Sequence, residues 1–533
     1  MKIRFYLLFF LFPLAILSGC EGETEEMPAT LPAVLRCIAG ESSAANGQSV
    51  EIDASLNTID VVFNGKIKPD WVKKGDILFS PSLSFSIAQG PDSKSLTISL
   101  SEGMRPLSNY RLIVFDDFMC TLRTGEDTSD KFPRIPTEEL LDLVQARTLK
   151  YFTDYAHPVS GLARERLGSD DTVTSGGSGF GLMAIVAGIN RGLISREDGY
   201  ALVSKIVTFL ETAETCHGAF PHWLNGRTGE IIPFSSYDDG ADLVETSFLM
   251  EGLLTCRQFF DGASEASLRE KITALWEAVE WDWFLRSSRL YWHWSPNYNW
   301  KMNMAVSGWN EALITYVLAA SSPTHPISKA DYDNGWARNG GIRNGKSFYG
   351  ISLPLGSNYG GPLFFAHYSF MGLDPRGLSD QYANYWEQNV AHAKINHAYC
   401  AANPKGMTGY SSSCWGLTAS DIPGGYTASE PYNNDRGVIA PTAALASMPY
   451  VPEESIAAME TFYYSYGDRL FGQYGFYDAF SLESRWFARS YIAIDQGPIM
   501  VMIENYRSQA VWNAFMKDPD VLAGLEKLGF SRD

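Results

Sequence analysis

Cysteine is scarce in this chain, since its 533 residues contain only seven. No Cys-x-x-Cys pair occurs, and no cysteines and histidines stand at zinc-ligand spacing. The sequence therefore predicts neither a structural zinc site nor a dense disulfide framework. Cys37 and Cys120 lie in the opening and closing apolar segments of the first predicted domain and could pair with each other.

Positive charge is also in short supply. Lysine and arginine number 42 against 61 aspartates and glutamates, which gives a formal net charge of −19. Such a chain repels nucleic-acid phosphates and anionic lipid headgroups, so we expect no nucleic-acid partner.

Cofactor motifs are absent too: the sequence lacks the glycine pattern of a dinucleotide fold, the P-loop lysine and the EF-hand loop. We therefore predict no cofactor and no metal, although calcium among loop carboxylates is left open.

Hydrophobic runs are short, and the N-terminal one, residues 5–17, cannot span a bilayer comfortably. Basic residues precede this run, and Leu-Ser-Gly-Cys follows it, which is typical of a lipoprotein signal with Cys20 as the acylated residue. An ordinary secretion signal is the alternative. We expect a signal peptide at 1–19, a flexible tether at 20–28, and a monomer held in the bacterial envelope only by its lipid. It would lie at the outer membrane, facing the periplasm or the surface.

Aromatic residues, in contrast, are abundant: 30 phenylalanines, 27 tyrosines and 14 tryptophans. Phenylalanine can pack inside a core, whereas tyrosine and tryptophan carry polar groups that favour half-exposed surfaces. Many of them stand in glycine-rich loops beside Asp, Asn, Gln or His. This pattern indicates flat rings that stack on sugars, with polar neighbours that bind the sugar hydroxyls.

Residues 29–123 have the texture of β structure. Apolar or alternating segments predict strands at 49–56, 59–63, 83–87, 96–100 and 110–115, with turn sequences between them. This spacing predicts an immunoglobulin-like β-sandwich, which offers no catalytic cluster. A polar linker follows at 124–135.

Residues 136–533 are predicted to be mainly α-helical. A first helix begins at residue 136, Thr137 is its expected cap, and one further short element completes a set of about twelve. The other predicted helices cover 181–190, 195–215, 241–260, 267–285, 304–320, 379–401, 438–446, 453–471, 494–516 and 519–527. Almost no strands are expected. We favour an (α/α)6 toroid with functional loops at one mouth over a multi-lobed helical bundle.

A glycine-rich motif occurs at residues 174–180, TSGGSGF. Such a loop can cradle a phosphate at a helix N-terminus. However, the motif lacks the lysine of a P-loop and a preceding strand. We therefore expect a tight turn that lines a polar pocket.

The densest group of acids comprises Asp238, Asp239, Asp242 and Glu245. If a helix begins near Asp239, Asp238 can cap it, and the later acids lie in its first turns. Complementing a helix dipole requires only one acid. Four crowded carboxylates repel one another, which raises the pKa of a carboxyl and suits it to acid catalysis.

Glu311 is the second candidate acid. It follows a Trp-His-Trp loop and stands beside a tryptophan and an asparagine in the predicted helix 304–320. Among apolar neighbours a glutamate either faces a pocket or needs a buried partner, whereas a solvated glutamate is the ordinary alternative.

Residues that flank these motifs are predicted to bind substrate. They are Asp239, Glu245, His222, Trp223, Trp292, Trp294, Trp309, Tyr359, His367, Trp415 and Tyr426.

Three motifs resemble the glycoamylase family: YDDGADLVET at 237–246, WGLTASD at 415–421 and YIAIDQGPIMVMIENYRS at 491–508. The resemblance covers most of the chain after about residue 135. It implies an (α/α)6 toroid and an activity like that of glycoside hydrolase family 144, on β-1,2-linked glucans and their oligomers. It also implies that Asp238, Asp242 and Glu311 line the pocket, with Asp239 and Glu245 nearby.

The resemblance further implies an inverting mechanism, in which an acid protonates the glycosidic oxygen and a carboxylate roughly 6.5–9.5 Å away activates water. As a hypothesis, Glu311 is the acid and Asp238 or Asp242 is the base. We therefore predict a glycoside hydrolase. A non-catalytic glycan-binding lipoprotein is one alternative, although holding a neutral sugar requires no acid cluster. A polysaccharide lyase is another, although lyases need cations against uronates and this chain has few.

Overall fold

The computed structural model describes residues 26–73 and 75–532. The chain divides into two compact units, Met1–Glu126 and Asp127–Asp533. The predicted signal peptide, Cys20 and most of the predicted tether lie outside the described residues. No helix within the described ranges is long and apolar enough to cross a membrane.

The first unit consists of β-strands and one 3-10 helix at Pro69–Trp71. The strands are β1 (Val34–Ala39), β2 (Ser42–Ala44), β3 (Ser49–Ile52), β4 (Thr58–Phe63), β5 (Ile77–Ser80), β6 (Phe85–Gln89), β7 (Ser95–Leu100), β8 (Asn109–Val114) and β9 (Phe118–Thr124). They form a five-stranded sheet of order β2-β1-β4-β7-β6 and a four-stranded sheet of order β3-β9-β8-β5. Only the β3–β9 pairing is parallel among these strands.

Alternate side chains of both sheets form one hydrophobic core. In β4, Ile59, Val61 and Phe63 are buried while their neighbours are more exposed, as the two-residue period of a strand requires. Cys37 of one sheet and Cys120 of the other meet in this core, with their Sγ atoms 2.9 Å apart. The two residues singled out in the sequence are thus neighbours.

The second unit is mainly helical. Its helices are α1 (Thr137–Thr153), α2 (Ser175–Asn190), α3 (Arg196–Leu210), α4 (Leu243–Phe259), α5 (Ala266–Glu277), α6 (Leu313–Ser321), α7 (Lys329–Asn334), α8 (Tyr385–Ala402), α9 (Pro441–Leu445), α10 (Pro452–Tyr464), α11 (Gly467–Leu470), α12 (Ala493–Arg507), α13 (Ala510–Phe515) and α14 (Pro519–Leu528). Short 3-10 helices lie at Ala263–Glu265, Trp281–Phe284, Arg338–Gly340, Leu363–Ala366 and Tyr368–Phe370.

Short strands are more numerous here than the sequence suggested, because loops between helices pair locally into hairpins. They are β10 (Thr172–Thr174), β11 (Trp223–Asn225), β12 (Ile231–Ile232), β13 (Ala241–Asp242), β14 (Leu285–Arg286), β15 (Arg289–Leu290), β16 (His293–Trp294), β17 (Arg343–Phe348), β18 (Ile351–Leu355), β19 (Leu378–Ser379), β20 (Ala419–Ile422), β21 (Gly425–Ala428), β22 (Phe471–Gly472), β23 (Gly475–Phe476), β24 (Phe480–Ser481), β25 (Trp486–Phe487) and β26 (Ser531–Arg532).

The helices form two kinds. Helices α2, α4, α6, α9 and α12 are buried on nearly all sides, and α2 contacts α4 and α12, α4 contacts α6, and α12 contacts α9. Helices α1, α3, α5 and α14 have one buried face and pack against this group or against one another. A helix that is apolar all round requires such enclosure.

The glycine-rich motif is the first part of α2, so the predicted tight turn is wrong. A Cβ on Gly179 would lie 2.0 Å from the Phe248 carbonyl oxygen, and one on Gly252 would lie 2.2 Å from the Gly179 carbonyl oxygen. The glycines therefore allow the backbones of α2 and α4 to touch. Their role is close helix packing rather than a loop around a phosphate.

Several predicted helix starts are also wrong. The segment before Leu313 is irregular, so Glu311 lies in the turn that precedes α6 rather than within a helix. Helix α8 begins at Tyr385, six residues after the predicted start. At the first helix, Pro136 occupies the cap position without a side-chain hydrogen bond, and Thr137 is already helical.

Candidate active site

The N-termini of the buried helices lie together. The backbone N–H of Gly176 in α2 donates to Oε2 of Glu245 in α4 over 2.9 Å. The hydroxyl of Thr442 in α9 donates to the carbonyl of Asp495 in α12 over 2.8 Å. A Cβ on Gly177 would touch Ala493 at the start of α12. Side chains from the loops before these helices therefore meet in one region.

The first group of site residues, the histidine cluster, lies at the start of α4. Its members are His222, Asp238, Asp242, Glu245 and His293. Oδ2 of Asp242 lies 3.1 Å from Nδ1 of His222 and 3.4 Å from Nε2 of His293. The same Nε2 is 3.2 Å from Oδ2 of Asp238.

Asp242 is the N-cap of α4, a role that the sequence had suggested for Asp238. Its Oδ1 accepts hydrogen bonds from the backbone N–H groups of Val244 and Glu245, at 3.0 and 2.9 Å. Burial opposes ionisation, but the two histidines hold the pKa of Asp242 well below its usual range. Both oxygens of this carboxylate are engaged, so Asp242 is a fixed charge and a poor general base.

The two histidines are held as cations. Burial lowers the pKa of both, but the neighbouring carboxylates outweigh burial and raise it to about 9 for His222 and about 10 for His293. His293 is positioned because β16 pairs with β13 and sets it opposite Asp242. The cluster is thus a buried network of matched charges.

Two glutamates beside this network retain protons. Burial, reinforced by Asp242, raises the pKa of Glu245 to about 7 despite the opposing His222 and Gly176 N–H. Burial, and then the charges of Glu245 and Asp242, raises the pKa of Glu311 to about 7. The side-chain hydroxyl of Ser369 donates to the Glu311 backbone carbonyl and fixes the turn that presents this residue.

A second group, the aspartate cluster, comprises Arg166, Asp421, Asp478 and Asp495. Nη1 of Arg166 lies 3.2 Å from Oδ1 of Asp421. The backbone N–H of Asp421 donates to Oδ2 of Asp478 over 2.6 Å. Arg166 also pairs with Glu165, so one guanidinium is shared among several carboxyls.

Asp478 and Asp495 interact directly through their carboxyl groups. Burial is the main cause that raises the pKa of Asp478 to about 7 and that of Asp495 well above its usual range, and the charge of Asp478 raises the pKa of Asp495 further. Neither carboxyl oxygen of Asp495 has a hydrogen-bond partner among the described residues, although the side chain is buried. Two buried carboxyls this close do not both ionise readily, so the pair keeps one proton.

Tyr368 connects the two clusters. Its phenol is buried, and its pKa is raised by that burial and by the charges of Asp495, Glu311 and Glu245. The half-exposed Tyr426 lies beside the aspartate cluster, since its pKa is raised by burial of its hydroxyl and by Asp495, Asp478 and Asp421. Tyr426 is the cross-strand partner of Asp421 in the β20–β21 hairpin. Tyr368 therefore lies near carboxyls of both clusters.

Comparisons with known proteins show the family of the chain. The family model described as "Putative glucoamylase" matches residues 303–519. An endo-β-1,2-glucanase structure from Chitinophaga pinensis, solved with sophorotriose and glucose, is 51% identical with a TM-score of 0.73. It covers 75% of this chain, and this chain covers 99% of it. The chain belongs to the glycoamylase family.

Other relatives resemble the chain over different spans. A β-1,2-glucanase structure from Parabacteroides distasonis is 38% identical with a TM-score of 0.73, over 94% of this chain and 74% of that one. An exo β-1,2-glucooligosaccharide sophorohydrolase from the same species is 46% identical over 416 residues, which is 73% of this chain. The match spans only 58% of the length of that curated relative.

One of these similarities extends into the first unit. Asp127–Asp533 makes up about three quarters of the chain, so a match over 94% of it extends into the first unit. The family-model match contains Glu311 and all the aspartates of the second cluster. It does not reach the histidine cluster before residue 303.

Several predicted residues lie at the site. Asp238, Asp242, Glu245, His222 and Glu311 interact with one another there. The half-buried rings of Trp223 and Trp292 lie next to the cluster histidines, and Tyr426 lies on the other side. Asp239, in contrast, binds the side-chain amide of Asn297 over 2.7 Å rather than joining the cluster.

Three predicted sugar-binding residues are core residues instead. Trp415 has no exposed surface, and its indole N–H donates to the Glu454 carbonyl over 3.1 Å. His367 is buried, with Nε2 2.9 Å from the Ser447 hydroxyl, and burial lowers its pKa to about 3. Trp309 is enclosed by other aromatic rings. Rings so enclosed offer no face to a sugar, so these three predictions are wrong.

Strand alternation separates Trp294 from the cluster. His293 faces Asp242, so the next residue of β16 points to the opposite side. Trp294 accordingly packs against His217 and Trp283. Tyr359 lies in a separate aromatic group with Phe348 and Tyr432.

Sequence reasoning missed the aspartate cluster and Tyr368 as site residues. Asp421 and Asp495 stood within family-like motifs but were given no role, and Asp478 is an isolated acid among aromatics. The one available signal was Asp495 in an otherwise apolar helix start. Phe234 was missed too, although its ring stacks on His222 with centroids 4.1 Å apart.

One trio could hold a metal ion. His222, Asp238 and Asp242 each offer a ligand atom, and these atoms lie within 4.8 Å of one another. A metal needs the neutral imidazole. The raised pKa of His222 favours the cation, so the trio fits ion pairing better than metal binding.

Proposed function

We propose that this chain is a glycoside hydrolase that cleaves β-1,2-linked glucose chains with a general acid and a general base. The observation that carries the proposal is that hydrogen bonds join the starts of the buried helices, so that buried carboxyls of both clusters lie near Tyr368, which packs on Phe180 and Phe248. Its relatives that act on β-1,2-glucans or their oligosaccharides support the substrate class.

Glu311 is the proposed general acid. Its pKa of about 7 keeps it mostly protonated at slightly acidic pH and about half protonated at neutral pH, and the cause is burial, followed by the charges of Glu245 and Asp242. A carboxylic acid with such a pKa can give its proton to the glycosidic oxygen as the bond breaks. Glu245 has a similar pKa, but its Oε2 is held by the Gly176 N–H.

The Asp478–Asp495 pair is the proposed base, in place of Asp238 or Asp242. A pair that shares one proton still carries one negative charge and can accept a proton from water. Asp495 is the member open to that water, because its oxygens have no partner among the described residues. Asp242 is excluded from this role by its two histidines and its capping bonds.

Aromatic rings on the histidine side supply the proposed sugar contacts. Phe234 is 47% exposed while it stacks on His222, and Trp223 packs against Phe234 edge-on. Exposed ring faces beside charged hydrogen-bonding groups suit the two faces of a glucose ring. Tyr426 offers a similar surface beside the aspartates.

The test is product analysis on a panel of glucans of defined linkage. We expect new reducing ends from β-1,2-glucan and sophoro-oligosaccharides and none from α-1,4-, β-1,3- or β-1,4-glucans. Binding of the β-1,2-glucan without new reducing ends would instead indicate a glycan-binding protein. An unsaturated product that absorbs in the ultraviolet would indicate a lyase.

We also propose an (α/α)6 toroid for the second unit and an immunoglobulin-like sandwich for the first. Buried helices that start together, flanked by helices with one buried face, support the toroid, and two sheets around one core support the sandwich.

A lipid anchor at Cys20, and with it an outer-membrane location, stays a prediction. Radiolabelled palmitate incorporation that is lost in Cys20→Ser would support it.

A further inference from the structure

Three tyrosines form an aromatic group at the surface, here called the tyrosine platform: the exposed Tyr349 and Tyr432 and the partly buried Tyr359. The ring centroids of Tyr359 and Tyr432 are 4.5 Å apart, and those of Tyr349 and Tyr359 are 6.3 Å apart. The hydroxyls of Tyr349 and Tyr432 lie 3.3 Å from each other. Tyr349 is 40% exposed and Tyr432 is 38% exposed, so the rings present faces to solvent.

All three platform residues have left-handed backbones, with φ of 54° at Tyr349, 67° at Tyr359 and 61° at Tyr432. A bulky residue in this region is an outlier that carries backbone strain. Three such residues whose rings touch one another are difficult to explain by packing alone, because asparagine or glycine would satisfy the same turns at lower energy.

The turn at Tyr349 shows this most clearly. Tyr349 and Gly350, both with positive φ, connect the paired residues Phe348 and Ile351 of β17 and β18. Such two-residue hairpin turns strongly prefer asparagine or glycine at the position of Tyr349. At Tyr432, the N–H of Asn433 donates to the Pro431 carbonyl over 2.8 Å, which closes a tight three-residue turn of a rare and strained kind.

Ring contacts and hydrogen bonds hold the platform in place, and one of these hydrogen bonds joins its loop to a hairpin of the site. Tyr432 packs on Tyr399, whose hydroxyl donates to Asp435 over 2.7 Å. The side-chain amide of Asn434, two residues after Tyr432, donates to the Ala428 carbonyl over 2.7 Å. Ala428 ends the hairpin that carries Asp421 and Tyr426 at the aspartate cluster.

We propose that the tyrosine platform is an outer binding site for a neutral β-glucan chain whose other end occupies the active site. Stacked, uncharged rings with hydroxyls match the apolar faces and hydroxyl edges of glucose units, and the strain fixes the ring positions before binding. This proposal rests on the proposed function for the identity of the glucan. It predicts that the platform matters for long chains and not for short ones.

The first experiment compares chain lengths. In Tyr349→Ala and Tyr432→Ala, kcat/KM on β-1,2-glucan polymer should fall about 3- to 10-fold, while kcat/KM on sophorotriose stays unchanged. Tyr432→Phe, which keeps the ring, should retain most polymer activity. Tyr506→Ala is the matched control, since Tyr506 is 37% exposed near the opposite end of α12 from Asp495. Equal losses on both substrates, or none, would overturn the proposal.

The second experiment separates binding from folding. Tyr349→Asn relieves the strained turn, so its melting temperature should equal or exceed that of the parent, while retardation in a native gel containing β-1,2-glucan is lost. A lower melting temperature with unchanged retardation would show a structural role only.

Failure of the proposed function would be seen separately. In that case the parent chain releases no reducing ends from any β-1,2-linked substrate. Gel retardation with a panel of neutral β-glucans still tests the platform: retardation that Tyr349→Ala abolishes supports it, and absence of retardation with every glucan contradicts it.

Discussion

The histidine cluster and the aspartate cluster contain similar numbers of carboxyls but treat charge differently. In the first, Asp242 and Asp238 lie within 3.4 Å of imidazoles that are held as cations. In the second, the guanidinium of Arg166 pairs with Glu165 and Asp421, and its positive charge also acts on Asp478 and Asp495. Matched charges remain fixed, whereas surplus carboxyls retain and exchange protons.

This difference indicates that the two clusters have different roles. The cap of α4 and the imidazoles create a permanent charge that no catalytic step needs to alter. Glu311 lies within its influence but outside its hydrogen bonds, so it keeps a proton. The aspartate pair, near Tyr368, has fewer partners of opposite charge and can accept a proton.

The largest expected effect is on catalysis. Glu311→Gln removes the proposed acid without changing the shape of the side chain. Its kcat on sophoro-oligosaccharides should fall about 10²- to 10⁴-fold, the usual contribution of a general acid. Steady-state rates, with a melting curve to verify folding, measure this effect.

Glu251→Gln is the matched control for that variant. Glu251 is also buried with a raised pKa, but it lies in the middle of α4, where Oε1 accepts the Gly372 N–H over 2.8 Å. A glutamine mimics the protonated acid there, so activity should not change. If both glutamine variants lose activity equally, loss of a buried acid in general, and not the role of Glu311, is responsible.

The next largest expected effect is a loss of folding stability when the histidine cluster loses a charged member. Asp242→Asn leaves the helix cap possible but deprives two buried imidazolium groups of their shared partner. Removing one member of a buried ion network costs about 3 kcal/mol. Urea unfolding should show this loss, and an unchanged midpoint would contradict the matched-charge description of the histidine cluster.

A smaller effect appears in the pH dependence of stability. His293 has an ordinary pKa of 6.5 that is raised to about 10 in the folded chain. Its stabilisation is complete below pH 6.5 and is lost as the pH rises toward 10. His293→Gln should therefore be less stable than the parent by about 2 kcal/mol at pH 6. The two unfolding curves should converge near pH 10, and a constant difference across this range would refute the assignment.

The smallest expected effect on stability is a gain rather than a loss. Buried facing aspartates with raised pKa values bind protons more tightly when folded, so the pair reduces stability increasingly as the pH rises from about 4 to 7. Asp495→Asn should inactivate the enzyme but raise its stability at pH 8 by about 1 kcal/mol, with no gain at pH 4. Destabilisation at pH 8 would place Asp495 among the fixed charges.

The sequence predicted the two-part organisation, and its spacing marked one of the two groups of candidate site residues. Asp238, Asp242 and Glu245 are close in sequence, so one helix start brings them together and spacing alone reveals them. Asp421, Asp478 and Asp495 come from a hairpin, a loop and a helix, and only the convergence of helix N-termini unites them. No local pattern encodes that convergence.

Aromatic residues were the least predictable part. Trp415 and Trp292 both stand in glycine- or aromatic-rich loops, yet Trp415 is fully buried and Trp292 is half-buried beside His293. Composition tells that a ring is present but not which of its faces is covered. The alternation of β16 decides the matter for Trp294, and that strand is only two residues long.

The central claim is that an acid and a water-activating carboxylate act from the two clusters on one glycosidic bond. Proton NMR of the products within the first minutes of β-1,2-glucan hydrolysis tests this most directly. Attack by water on the far side of the sugar inverts the anomeric carbon. We expect the new reducing end to appear first as the α-anomer and then to mutarotate. Initial appearance of the β-anomer would require a covalent intermediate and would contradict an acid and a base that act from the two clusters.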